Sequence, residues 1–159
     1  MTEILSVAQK GEKILTLIAS PLTRSEITSE WIKLLANAMK ETMLERNGVG
    51  IAAPQIYISK RIIIVASRPN LRYPDAPYMD EIVMLNPKIL EQSDETVLGE
   101  EGCLSVPNER GSVARAESIK VQYFNLDGEK IIQDFSGFPA RIVQHEIDHL
   151  NGVLFVERL

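Results

Sequence analysis

Gln144-His145-Glu146-Ile147-Asp148-His149-Leu150-Asn151-Gly152 decides how the rest of this 159-residue chain is read. It holds both of the chain's histidines, four residues apart. On an α-helix, positions i and i+4 share one face about a turn apart. Two imidazoles so placed can point at one metal ion, with Glu146 beside them to handle a proton. That is the physical content of a His-Glu-x-x-His pattern: two neutral nitrogen ligands and a general base for a water that the ion polarises. The competing reading is a pair of helix-surface histidines with no metal; the absence of any other histidine in the chain weighs against it. The helix is expected over Pro139 to Leu150, with Pro139 in its first turn, Asn151-Gly152 ending it, and Val143, Ile147 and Leu150 on its apolar face.

A catalytic site of this kind takes three protein ligands and keeps one position open. In the extended protease pattern a glycine and then a third histidine follow downstream. Gly152 fits, but the next slot holds Phe155, which cannot ligate, and Glu157 lies beyond a glycine break. The third ligand is therefore expected upstream, and Cys103 is the candidate. A lone cysteine is ordinarily a small buried hydrophobe; the lack of another third ligand reverses that preference here.

Working back toward the N-terminus, Ile4 to Pro21 reads as an irregular arm. A helix follows, opened by Thr23 or Ser25, with Thr23 and Glu26 at capping-box spacing and Asn47-Gly48 as its stop. Its core stripe is read as Ile27, Trp31, Leu34, Leu35, Ala38, Met39 and Thr42. The small residues of Gly48-Val49-Gly50-Ile51-Ala52-Ala53-Pro54-Gln55 suit either a tight turn or close approach of the backbone to a ligand. A phosphate loop is not expected, since its Lys-Ser/Thr ending is missing. Arg61 to Ala66 reads as a buried strand and Pro69 to Tyr78 as a surface loop. Glu81 to Leu85 is a strand closed by Asn86-Pro87 and continued by Lys88-Ile89-Leu90. Ser118 to Phe124 and Lys130 to Phe135 form a hairpin about Asp127-Gly128, and Val153 to Val156 is a short last strand. Mixed short strands without a βαβ rhythm give an α+β class: sheets packed around the C-terminal helix, with a second helix near the N-terminus.

The length fits one domain, 1–159. A net charge of −5 argues against nucleic acid or an anionic membrane surface as a ligand. One cysteine makes no internal disulfide, which points to a reducing compartment, the cytoplasm. Met1 to Leu5 lacks the pattern of a signal peptide, and no apolar run reaches transmembrane length.

Three stretches, Gly48 to Gln55, Glu101-Gly102-Cys103-Leu104-Ser105 and Gln144 to His149, resemble the signature motifs of peptide deformylases, in that family's order. The similarity extends to Asn86-Pro87, Arg110-Gly111, Val113 and Arg115. It implies removal of the N-formyl group from formylmethionine at the start of nascent polypeptides. It implies Fe(II) as the usual metal, replaceable by Ni(II), Co(II) or Zn(II), on Cys103, His145 and His149. Glu146 would move the proton, and Gln55 with the backbone N–H of Leu104 would stabilise the oxyanion. Gly48, Val49, Gly50, Ile51, Glu101, Gly102, Arg110, Phe138, Arg141 and Ile142 would form the substrate groove, with Glu101 and Asp148 also orienting neighbours. The partners implied are N-formylmethionyl peptides, met by a monomer.

Three features depart from the common pattern. Tyr57 stands where many members have glycine, which is expected to alter the groove wall. Arg141 occupies a place that many bacterial members fill with an apolar lining of the methionine pocket, and otherwise reads as a solvated helix arginine. Gly137 to Ile142 resembles an organelle-like branch. The chain runs seven residues past Gly152 without the basic C-terminal helix that many cellular deformylases use, so docking on the ribosome has weak support. The competing functions are a small zinc peptidase, which Phe155 disfavours, and an inactive domain capturing peptide N-termini, which Glu146 and Gln55 disfavour.

Overall fold

The computed structural model describes residues 5–71 and 73–159. In chain order its elements are α1 (Arg24–Ile27), α2 (Glu30–Glu45), β1 (Gly50–Ala52), β2 (Ile62–Ser67), β3 (Met79–Gln92), β4 (Thr96–Cys103), β5 (Val106–Ala116), β6 (Ser118–Phe124), β7 (Lys130–Ser136) and α3 (Gly137–Leu150). Single 3-10 turns at Lys13–Thr16, Ala53–Ile56 and Phe155–Arg158 complete it.

Every residue of β2 is buried. Successive side chains of a strand point to opposite faces. Ile63 and Val65 accordingly join Ile142, Val143, Ile147 and Leu150 of α3 in one core. Ile62, Ile64 and Ala66 join Ile32, Met39 and Met43 of α2 in another. A helix on each face explains why this strand reads as an unbroken apolar run. Each fully buried Ile or Val here contributes roughly 1.5–3 kcal/mol. The five-stranded sheet runs β1-β2-β3-β6-β7 with antiparallel pairs throughout, while β4 and β5 pair only with each other among the described residues. The fold is α+β, and α3 is its centre: Ala140 through Leu150 are all buried.

Burying so polar a helix requires partners. The Gln144 amide accepts from Ala116 N and donates to Ala116 O, at 3.0 and 2.9 Å, so it serves the end of β5 as a strand would. Arg61 donates to the last helical carbonyl, Leu150 O, at 3.0 Å.

Several sequence expectations change. The N-terminal helix is interrupted: Thr23 and Glu26 do form a capping box, but α1 ends at Ile27 and α2 starts afresh after Thr28-Ser29. The break resets the helical phase. Met39 and Thr42 face inward as expected, joined by Ile32, Ala36 and Met43, whereas Trp31 and Leu34 of the expected stripe are 43% and 64% exposed. Asn86 does not close its strand. With φ of 50° it makes a bulge inside β3, held by a paired exchange of hydrogen bonds with Leu22. Val153 to Val156 is not a strand, because Leu154 and Phe155 turn inward into the core around Cys103. The arm is irregular except for its 3-10 turn; Ile4, like the Met1 to Ile4 stretch read for a leader, lies outside the described residues.

Candidate metal centre and active site

β4 and β5 are joined by a two-residue turn, Leu104-Ser105, which places Cys103 at the hairpin tip opposite Val106. The tip meets α3 where His145 and His149 project from one face. Cys103 Sγ lies 3.3 Å from His149 Nε2, and the ligand atoms of Cys103, His145 and His149 all fall within 4.8 Å of one another. Ligands at 2.0–2.3 Å from a tetrahedral ion stand roughly 3.3–3.8 Å apart, so small adjustments close this triangle on a metal.

The donors are prepared for it. Burial alone would raise the Cys103 thiol, yet the imidazoles of His149 and His145 hold it well below its ordinary value. A thiolate is the ligating form. His145 Nδ1 donates to Glu101 Oε1 at 2.9 Å, which fixes the tautomer and leaves Nε2 to ligate. Glu101 is in turn gripped by Arg115, at 2.9 and 2.8 Å, and by Arg141 at 2.7 Å. Burial opposes its charge, but Arg115 and His145 hold its carboxyl far below the usual carboxylate range. Arg115 reaches on to Asp148 at 2.6 Å, and Arg158 closes on the same carboxylate. Phe155, in the slot where a protease would carry its third histidine, stacks on His145 with ring centroids 6.0 Å apart.

Glu146 faces the cleft against Gly50. Its Oε1 is buried with no hydrogen-bond partner among the described residues, and burial pushes its pKa up to about 7. A Cβ on Gly50 would collide with the Glu146 carboxylate and Cγ, so only glycine allows this approach. Gln55 is oriented from both ends. Its Oε1 accepts from Ala52 N at 2.9 Å, and its Nε2 reaches Ser105 Oγ at 3.0 Å and Cys103 Sγ at 3.6 Å.

A cleft gathers Gly48, Val49, Gly50, Gln55, Glu101, Gly102, Cys103, Leu104, Phe138, Arg141, Ile142, His145 and Glu146. Two groove residues stand apart from it. The Ile51 side chain is fully buried in the α2 core, leaving only its backbone on β1, and Arg110 lies over the Tyr73 ring at 5.0 Å while pairing with Glu100.

The sequence matches the polypeptide deformylase family over residues 4–159. The chain belongs to that family. It is 46% identical to peptide deformylase 2 of Shewanella oneidensis over 97% of this chain and 83% of that one. It is also 46% identical to peptide deformylase 2 of a Nostoc species, over 99% and 87%. A crystal structure of the class I type b peptide deformylase of Acinetobacter baumannii bound to Met-Ala-Ser superposes with a TM-score of 0.98, at 67% identity and full coverage of both chains. This chain is thus an enzyme of the deformylase family, a hydrolase.

Measured against deformylase expectations, Tyr57 does not shape the groove. It holds φ of 68° at the end of its turn, and its hydroxyl donates to the Glu12 carboxylate, away from the cleft. Arg141 is not a solvated helix arginine; it is buried at 8% exposure. Tyr73 is a cleft residue that the sequence reading passed over. Its hydroxyl accepts from Gly102 N at 3.0 Å and its ring packs on Phe138 at 4.9 Å. A tyrosine in a proline-rich loop carries no local signal of that contact, because the partners are far away in sequence.

Proposed function

We propose that this chain removes the formyl group from N-formylmethionyl peptides and releases formate, with 1–159 acting as one catalytic domain, a monomer in the cytoplasm. The observation that carries the reading is the union of a Cys103, His145 and His149 ligand set with a buried, unpartnered Glu146 carboxylate pressed against Gly50. Cys103, His145 and His149 would hold a divalent ion, Fe(II) in the cell, with Ni(II), Co(II) or Zn(II) able to take its place. When bound, the ion supplies Lewis acidity: it acidifies water and polarises a carbonyl oxygen.

The chain's own groups do the rest. Glu146, with its pKa near 7, takes the proton of the attacking water and passes it to the leaving amine. The Gln55 amide and the Leu104 N–H donate to the oxygen that gains charge at the formyl carbon; such donors are worth about 3–4 kcal/mol each in other hydrolases. β1 ends the five-stranded sheet, so a peptide backbone can add beside Gly48 to Ala52 as a further strand. Phe138 and Ile142 supply apolar surface for the first side chain. A formyl carbon carries only a hydrogen, so a site made narrow by the approach of Gly50 to Glu146 would admit it more readily than an acetyl methyl. The Met-Ala-Ser held by the Acinetobacter enzyme has the sequence of such a product and supports the substrate class.

The test is formate release from formyl-Met-Ala-Ser by protein purified with Fe(II) under anaerobic conditions. Turnover that scales with metal content is expected. Metal-loaded protein that yields no formate would refute the proposal.

A further inference from the structure

Arg141 lies one helical turn before His145 and lines the cleft, a place from which it would be expected to select the substrate's first side chain. Its guanidinium is answered within the protein instead. Nη1 donates to Glu101 Oε2 at 2.7 Å and to Val113 O at 2.8 Å, and Nη2 donates to Val97 O at 2.6 Å. Val97 and Glu101 belong to β4 and Val113 to β5, so one side chain of α3 grips both strands of the hairpin. The guanidinium lies directly over Gly99: a Cβ there would stand 2.6 Å from Arg141 Cζ and 2.7 Å from Nε, so a larger residue would displace it. The same carboxylate that receives Arg141 on Oε2 receives His145 Nδ1 on Oε1. Arg141 therefore touches both halves of the ligand set, through Glu101 to His145 and through β4 to Cys103 at its end.

We propose that Arg141 is a positioning residue for metal retention and not a selector of substrate side chains. It holds the strand that carries Cys103, and the carboxylate that orients His145, against the helix that carries both histidines. The inference rests on Cys103, His145 and His149 being the ligands. Groups that orient ligands change metal affinity by roughly 10–100-fold when removed. Glu101 keeps Arg115 when Arg141 is lost, so the carboxylate is not left unpaired.

The experiment loads wild type, Arg141→Met and Arg141→Gln with Ni(II) and follows release to excess EDTA, with circular dichroism as a check on folding. Both variants are expected to release nickel about 10-fold faster or more. Their kcat/KM ratio for formyl-Met-Ala-Ser over formyl-Leu-Ala-Ser should stay within about twofold of wild type. In a Glu101→Gln background, Arg141→Met should add a smaller factor to the release rate than it does in wild type, because the part of its effect that runs through that carboxylate is already lost while its grip on Val97 and Val113 remains; a general loss of packing would add its full factor there. Should Arg141→Met fail to fold, Arg141→Lys keeps the charge with a single donor nitrogen and is expected to release nickel at an intermediate rate. Unchanged release in the folded variants, or a shifted substrate ratio with unchanged release, overturns the proposal. Wild-type protein that retains no nickel would instead refute the ligand set itself.

Discussion

Gly50→Ala isolates the approach of β1 to the Glu146 carboxylate, the proposed general base. The added Cβ would stand 2.9 Å from both Cγ and Cδ of Glu146 and closer still to Oε2. Ordinary van der Waals contact begins near 3.4 Å, so the carboxylate or the strand must move by roughly 0.5–1 Å. Glu146 has little room to yield: it is 4% exposed within a helix whose neighbours are all buried. A misplacement of about 1 Å costs on the order of 100-fold in rate, which is about 2.7 kcal/mol in the barrier at 1.36 kcal/mol per decade. Stability should move much less, because alanine in a strand gains roughly 0.5–1 kcal/mol over glycine in backbone entropy and Gly50 has no left-handed φ to relieve. The assay is kcat for formate release at full metal occupancy, beside urea denaturation of the same samples. Activity within about threefold of wild type, with metal content unchanged, would refute the close-approach argument.

Glu146→Ala should keep its metal and lose activity by about 10²–10⁴-fold; metal loss measured by elemental analysis would make Glu146 a ligand instead. Cys103→Ser should lower metal content by the same analysis, and unchanged occupancy would place the third ligand elsewhere. Glu101 has a depressed folded pKa, so its contribution to stability is present above its ordinary value of 4.5 and is lost as pH falls below that toward the folded value. Denaturation midpoints of Glu101→Gln should therefore fall less steeply than wild type from about pH 4.5 downward, and parallel acid limbs would count against the ion-pair account. Ile32→Ala, at a fully buried site, should cost about 2–5 kcal/mol, whereas Trp31→Ala should cost under about 1; similar losses at both would restore the stripe read from sequence.

What the sequence disclosed was the chemistry carried by spacing. Two histidines at i and i+4 with a glutamate between them specify a face of a helix, and a chain with one cysteine and no further histidine leaves little choice of partner. The buried run at β2 was legible for a similar reason, since covering both faces of a strand demands apolar residues without alternation. The β4–β5 ribbon was not legible. About half of its positions are exposed, with burial at the tip and again at Val113, Arg115 and Ala116, so no sustained alternation runs along it; its order comes from Arg115 within β5 and from the Arg141 and Gln144 side chains of the distant α3. The phase of α2 was only partly legible: Met39 and Thr42 face inward as read, but the local break at Thr28-Ser29 puts Ile32 and Ala36 inward in place of Trp31 and Leu34. Arg141 shows the limit plainly: its position on the helix is set by sequence, but its acceptors lie 28 to 44 residues away and nothing local names them.

The separate pairing of β4 with β5 has a dynamic consequence. No backbone ladder ties this ribbon to the five-stranded sheet among the described residues; side chains and the hairpin tip do so. Amide exchange should therefore divide into two tiers, with β2, β3 and β6 protected to the global unfolding limit and the ribbon opening as a smaller cooperative unit. In that smaller opening Cys103 leaves with the ribbon while His145 and His149 stay with the helix. The cluster of Cys103, His145 and His149, proposed above to hold the metal, would then come apart and reassemble in a protein that remains otherwise folded.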